Sequence, residues 1–175
     1  AAPTAAPAAA PAQGPAVTMP VVQGVTENEI LFGMVSAFSG PTRPYGTQTK
    51  LGIQTVFNMV NDAGGIHGRK FRLLAVDDGF DASRTPDQMK QLYEGDKVFG
   101  FIGNFGTTTT AAVLPYVLQR RVLFYAPFVA APLVRRDPPD RYVFVYRPAV
   151  AGETAALTNY MLNVRRVKPE QIAVF

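Results

Sequence analysis

Residues 98–119 read VFGFIGNFGTTTTAAVLPYVLQ, and this stretch decides the fold. Val98–Ile102 is a short, uninterrupted apolar run, the pattern of a strand buried on both faces. Gly103-Asn104-Phe105-Gly106 breaks the run. From Thr107 to about Gln119 the pattern turns helical, opening on threonines that suit a helix cap. Pro115 conflicts with that helix, since it removes a backbone hydrogen bond and predicts a kink. A buried strand that passes through a glycine turn into a helix is half of a βαβ unit.

The same grammar repeats on both sides. Ile30–Ala37 (ILFGMVSA), Phe71–Val76 (FRLLAV), Val122–Ala126 and Tyr142–Tyr146 read as further strands. Between the first two, Ile53, Val56, Phe57 and Val60 fall on one helical face, and Gly64-Gly65 supplies the stop. Residues 82–94 read as a second helix, with Pro86 in its first turns and Met89, Leu92 and Tyr93 on one face. Strands alternating with helices predict an α/β fold with a doubly wound parallel sheet. A last helix over 152–166 presents Leu157, Tyr160, Met161 and Val164. The apolar run at 172–175 needs strand partners, so these two elements are expected to open a second α/β unit.

Composition bounds the function. The chain has 175 residues with 47% hydrophobic and 17% charged, ordinary for a soluble domain. There is no Cys and a single His, His67, which excludes thiol chemistry and His-pair metal sites. No metal or cofactor is expected. The net charge of +4 comes from dispersed basic residues such as Arg120-Arg121, Arg135-Arg136 and Arg165-Arg166, without a nucleic-acid motif. Residues 1–20 hold nine Ala and five Pro, and no charge precedes Glu27, so 1–26 reads as a disordered tether. Such a tether suits an exported protein behind a cleaved signal or lipid anchor, and suits an interdomain linker as well.

In an open parallel sheet, ligands bind beyond the carboxyl ends of the strands, where strand order reverses. That directs attention to Ser36–Tyr45, Asp77–Asp81, Asn104–Thr108 and Pro127–Ala131. At Gly106-Thr107-Thr108, free amides and the helix dipole would attract an anion, although plain N-capping would use the same residues. Asp77-Asp78 follows the second strand, where loop-ordering hydrogen bonds account for it. His67 reads as a turn residue. No dinucleotide fingerprint, phosphate loop or nucleophile elbow is present, so catalysis is not expected.

An ordered set of segments carries a resemblance. They are Ser39-Gly40-Pro41 with Tyr45-Gly46, Asn61-Asp62-Ala63-Gly64-Gly65-Ile66, Asp77-Asp78, Ile102-Gly103 with Gly106-Thr107-Thr108-Thr109, and Lys168-Pro169-Glu170-Gln171-Ile172-Ala173. Glu29–Phe175 resembles the N-terminal half of the type I periplasmic solute-binding proteins, the group of the leucine/isoleucine/valine-binding protein of ABC importers. The resemblance implies two hinged lobes, with an N-terminal lobe over 27–146 and the hinge and start of a second over 147–175. It implies a non-enzymatic, periplasmic protein that captures a small carboxylated solute, an amino acid or related organic acid, and docks on membrane permease subunits. A ligand-sensing domain of a signalling protein remains the alternative.

The ligand residues implied by the resemblance are Tyr45, Phe105, Gly106, Thr107, Thr108, Phe128, Val129 and Ala130. Thr107 and Thr108 match hydroxyls that receive the ligand carboxylate. Tyr45 matches an aromatic packing on the ligand, or else a lid on the core. Val129 and Ala130 match positions that give a carbonyl and a hydroxyl to an ammonium group. Here the hydroxyl is missing and Phe128 stands where glycine is frequent, which fits a bulkier aromatic or aliphatic carboxylate.

Overall fold

The computed structural model describes residues 21–173. Among them, five parallel strands form one sheet: β1 (Glu29–Ser36), β2 (Lys70–Asp77), β3 (Gly100–Ile102), β4 (Leu123–Tyr125) and β5 (Val143–Phe144), in the order β2-β1-β3-β4-β5. Order reverses between β1 and β3, the place where a doubly wound sheet opens a crevice. β1 and β2 pair over their whole length, from Glu29 opposite Lys70 to Ser36 opposite Asp77, so their exit loops leave at one height.

Four helices complete the fold: α1 (Arg43–Asp62), α2 (Thr85–Lys90), α3 (Thr107–Arg120) and α4 (Val150–Asn159). The continuous apolar strands serve two different cores. On one face Phe32, Phe57 and Phe71 pack at ring distances of 5.0–5.7 Å, seating α1 on β1 and β2. On the other face Val35, Phe101, Val122 and Phe124 meet Met89 and Leu92, and Val113 and Val117 of α3. Helices thus cover both faces, and the expected architecture is observed.

Several local expectations are corrected. The second helix is regular only over Thr85–Lys90 and continues as a π-type turn, Gln91–Gly95. The last helix likewise changes to a π-type turn over Tyr160–Val164. Val56, placed on the buried face of α1 by periodicity, is 57% exposed, because α1 packs on β2 and Val56 borders an open cavity on its other flank. α3 runs unbroken through Pro115, which is solvent-exposed. The threonines of α3 do not cap it: Gly106 is the N-cap, and no side chain bonds the first turn's amides. Instead the Thr109 hydroxyl donates back to the Phe105 carbonyl at 2.5 Å.

At the ends, residues 1–20 of the expected tether lie outside the described residues. The remainder of the tether is docked, with Gln23 Nε2 donating to the carbonyls of Tyr93 and Val98 at 2.9 Å. Of the expected strand 172–175, Ile172 and Ala173 carry no strand pairing and the rest lies outside the described residues.

Candidate binding site

The exit loops of β1, β2, β3 and β4 converge on a cavity of about 440 Å³ at the reversal of strand order. Tyr45 reaches it from the first turn of α1, and the chain there is fixed by Gly46. A Cβ at Gly46 would lie 2.0 Å from the Ala37 carbonyl oxygen, so only glycine lets α1 start this close to the end of β1. Phe105 and Phe128 come from the β3 and β4 exits. These two loops are joined by a hydrogen bond from the Phe128 amide to the Asn104 carbonyl at 2.7 Å.

The rings form a clustered wall, with the Tyr45 and Phe128 centroids 6.3 Å apart and their planes inclined by 32°. Tyr45 stacks on Phe105 with centroids 5.1 Å apart and planes within 7°. Phe105 stacks on Phe128 at 5.9 Å, and Phe80 tilts against Phe105 at 5.2 Å. Phe80 holds a left-handed backbone with φ of 65°, a conformation that costs a bulky residue about 1–3 kcal/mol. Its amide donates to Asp78 Oδ1 at 2.9 Å, and Asp78 also accepts from the Thr85 hydroxyl at 2.9 Å. The acidic pair is therefore a loop-ordering device, and the ring it positions is what enters the cavity.

The two aspartates titrate in opposite directions. Burial pushes the Asp78 carboxyl up from its ordinary value of 3.8, against the donors Phe80 and Thr85. For Asp77, burial also pushes upward, but the Ser39 hydroxyl and the amides of Phe38, Gly79 and Ser39 outweigh it and hold the carboxyl low.

The N-terminus of α3 opens into the same space. The first intrahelical bond runs from the Thr110 amide to the Gly106 carbonyl at 3.1 Å. The amides of Thr107, Thr108 and Thr109 precede it, with the positive end of the helix dipole behind them. Gly106 sits at φ of 104°, and a Cβ there would lie 2.3 Å from the Phe80 ring.

Arg147 lines the rim, its guanidinium carbon 4.6 Å from the Phe128 ring centroid and its Nε 3.1 Å from Glu153. Arg135 fastens this rim from behind, donating to the carbonyls of Val129, Ala131 and Arg147.

Seven of the eight residues anticipated as ligand contacts line this one cavity: Tyr45, Phe105, Gly106, Thr107, Phe128, Val129 and Ala130. Thr108 does not, because one helical step turns its side chain away to solvent. Phe80, Ala131, Arg147 and Val150 also line it and were not anticipated. Phe80 lay within a flagged loop, and only its left-handed backbone reveals its direction. A second cavity of about 570 Å³ lies along α1, lined by Ile53, Val56, Ile102, Tyr125 and Tyr146, with no helix N-terminus facing it.

Residues 29–174 match the family described as periplasmic binding protein. The chain belongs to the periplasmic binding protein family. As a member of that family it superimposes on a possible leucine/isoleucine/valine-binding protein from Rhodopirellula baltica SH 1 with a TM-score of 0.73 and 29% identity. The superposition covers 87% of this chain and 39% of that one. It is 25% identical to the Leu/Ile/Val-binding protein of Escherichia coli (strain K12) over 83% of this chain and 39% of that protein. It is 28% identical to Leu/Ile/Val-binding protein homolog 3 of Brucella melitensis biotype 1 over 59% of this chain and 28% of that protein. This periplasmic binding protein chain therefore spans only 28–39% of the length of these curated relatives.

Proposed function

We propose that this chain supplies one wall of a hinged solute-binding cleft, in the substrate-binding component of an ABC-type importer working in the periplasm. The observation that carries this reading is the cavity at the strand-order reversal of a periplasmic binding protein lobe. Helix amides, the Arg147 guanidinium and aromatic rings make that wall suited to a small carboxylate. Among the described residues lining it there is no His, Asp, Glu or Lys. Thr107 thus has no base beside it, which supports binding rather than turnover.

The lobe runs to about Tyr146, and residues 147–150 cross into a second lobe. Two features support that division. α4 and the turn after it bury none of their residues. The Arg147–Glu153 ion pair and the Val150 amide, bonded to the Ala130 carbonyl at 3.3 Å, tie the crossing to the cavity rim. Ligand held on this wall would favour closure of the hinge, and the closed form is the one that docks on permease subunits.

A thermal-shift screen of the complete protein against carboxylated metabolites tests the reading. A true ligand at a hundred times its Kd stabilises by about 2.7 kcal/mol, and Arg147→Gln should reduce that shift. The reading fails if no carboxylate stabilises the protein, or if Arg147→Gln and Phe105→Ala leave the shift of every ligand found unchanged.

A further inference from the structure

We infer that the cavity takes an aryl carboxylate that carries no amino group. This rests on the reading of the cavity as a ligand site and names the ligand class that its walls select. Three observations lead there, each from a different wall.

The first wall offers donors and positive charge. The amides opening α3 precede its first hydrogen bond and can only donate, and Arg147 brings a guanidinium to the same cavity. An anionic head group is the complement of that arrangement.

The second wall offers a cation no carboxylate: among the described residues lining the cavity none is Asp or Glu. Arg135 already donates to the Val129 carbonyl at 3.3 Å and to the Ala131 carbonyl at 3.0 Å. The Val150 amide takes the Ala130 carbonyl. Glu153, beside Arg147, is held by it in two hydrogen bonds at 3.1 and 3.2 Å. An ammonium group placed here would meet the Arg147 guanidinium, with no lining carboxylate to offset its lost hydration.

The third wall is aromatic. Tyr45 and Phe105 stack in parallel, Phe128 completes a triangle with them at 5.9 and 6.3 Å, inclined by 27° and 32°, and Phe80 closes the side. Tyr45 remains 53% exposed, so its ring still has surface to give to a ligand. Parallel rings with exposed surface favour a planar partner over a branched aliphatic one, because offset stacking adds to plain area burial.

Two matched pairs test this by titration calorimetry on the complete protein: hydrocinnamate against L-phenylalanine, and isocaproate against L-leucine. Each pair differs only by the amino group. Hydrocinnamate should bind at least about tenfold more tightly than L-phenylalanine, and more tightly than isocaproate. Phe128→Leu should shrink the hydrocinnamate-to-isocaproate ratio while both still bind. If that variant does not fold, Tyr45→Leu reads the same ratio from an exposed ring.

The inference is overturned if either amino acid binds as well as its deaminated partner. In that case a dependence of affinity on Phe105→Ala, a residue of this cavity and not of the second, would keep the cavity as the ligand site. It is also overturned if none of the four binds, and the wider carboxylate screen then decides the functional reading separately.

Discussion

At the scale of single residues, the adjacent aspartates make opposite predictions. Asp78 has its carboxyl raised, so its contribution to stability is complete below 3.8 and is lost as pH rises through its folded value. Asp78→Asn keeps an oxygen for the Phe80 amide and cannot ionise. The stability of the variant relative to the parent should therefore climb as pH rises above 3.8 in urea titrations, and parallel curves would refute the assignment. Asp77 is held low, so its contribution is present above 3.8 and disappears as acid protonates it. Asp77→Asn should then be destabilised most at neutral pH and converge with the parent in acid. Gly106 gives a third residue-level prediction. Its φ of 104° and the Phe80 ring leave no room for a methyl group, so Gly106→Ala should cost about 1–3 kcal/mol and lower ligand affinity.

At the scale of elements, β3 and α3 were legible because their chemistry is local. An apolar run of strand length, a glycine break and a helical pattern lie in sequence order, and the structure follows them. Helix edges and faces were less legible. Periodicity places Val56 with Phe57, yet only Phe57 is buried, since the tilt of α1 across the sheet is a tertiary choice. The threonines look like caps, but Gly106 takes the cap position and turns Thr109 inward. Pro115 provides the element-level prediction. It sits exposed inside a continuous α3 and removes one backbone bond. Pro115→Ala should restore that bond and raise stability by about 1–3 kcal/mol in chemical denaturation, whereas Phe101→Ala, from the fully buried core, should cost about 3–5 kcal/mol.

At the scale of the whole molecule, the sheet order puts four exit loops at one point, and that convergence could be foreseen from strand–helix alternation alone. What could not be foreseen was which side chains fill the convergence. Arg147 follows β5, outside the four exit loops, and Phe80 enters through a strained turn. The flank along α1 also stays open, with Val56, Tyr125 and Tyr146 exposed there. That leaves two cavities to tell apart, and the account places the solute in the one that α3 opens into.

Hydrogen–deuterium exchange on the complete protein, with and without the ligand found by screening, distinguishes them. The amides of Thr107, Thr108 and Thr109 precede the first bond of α3, so they should exchange rapidly in the free protein. Bound carboxylate should slow them, together with residues 128–131. Unchanged exchange at those amides, with protection appearing along Thr49–Phe57 instead, would contradict the account.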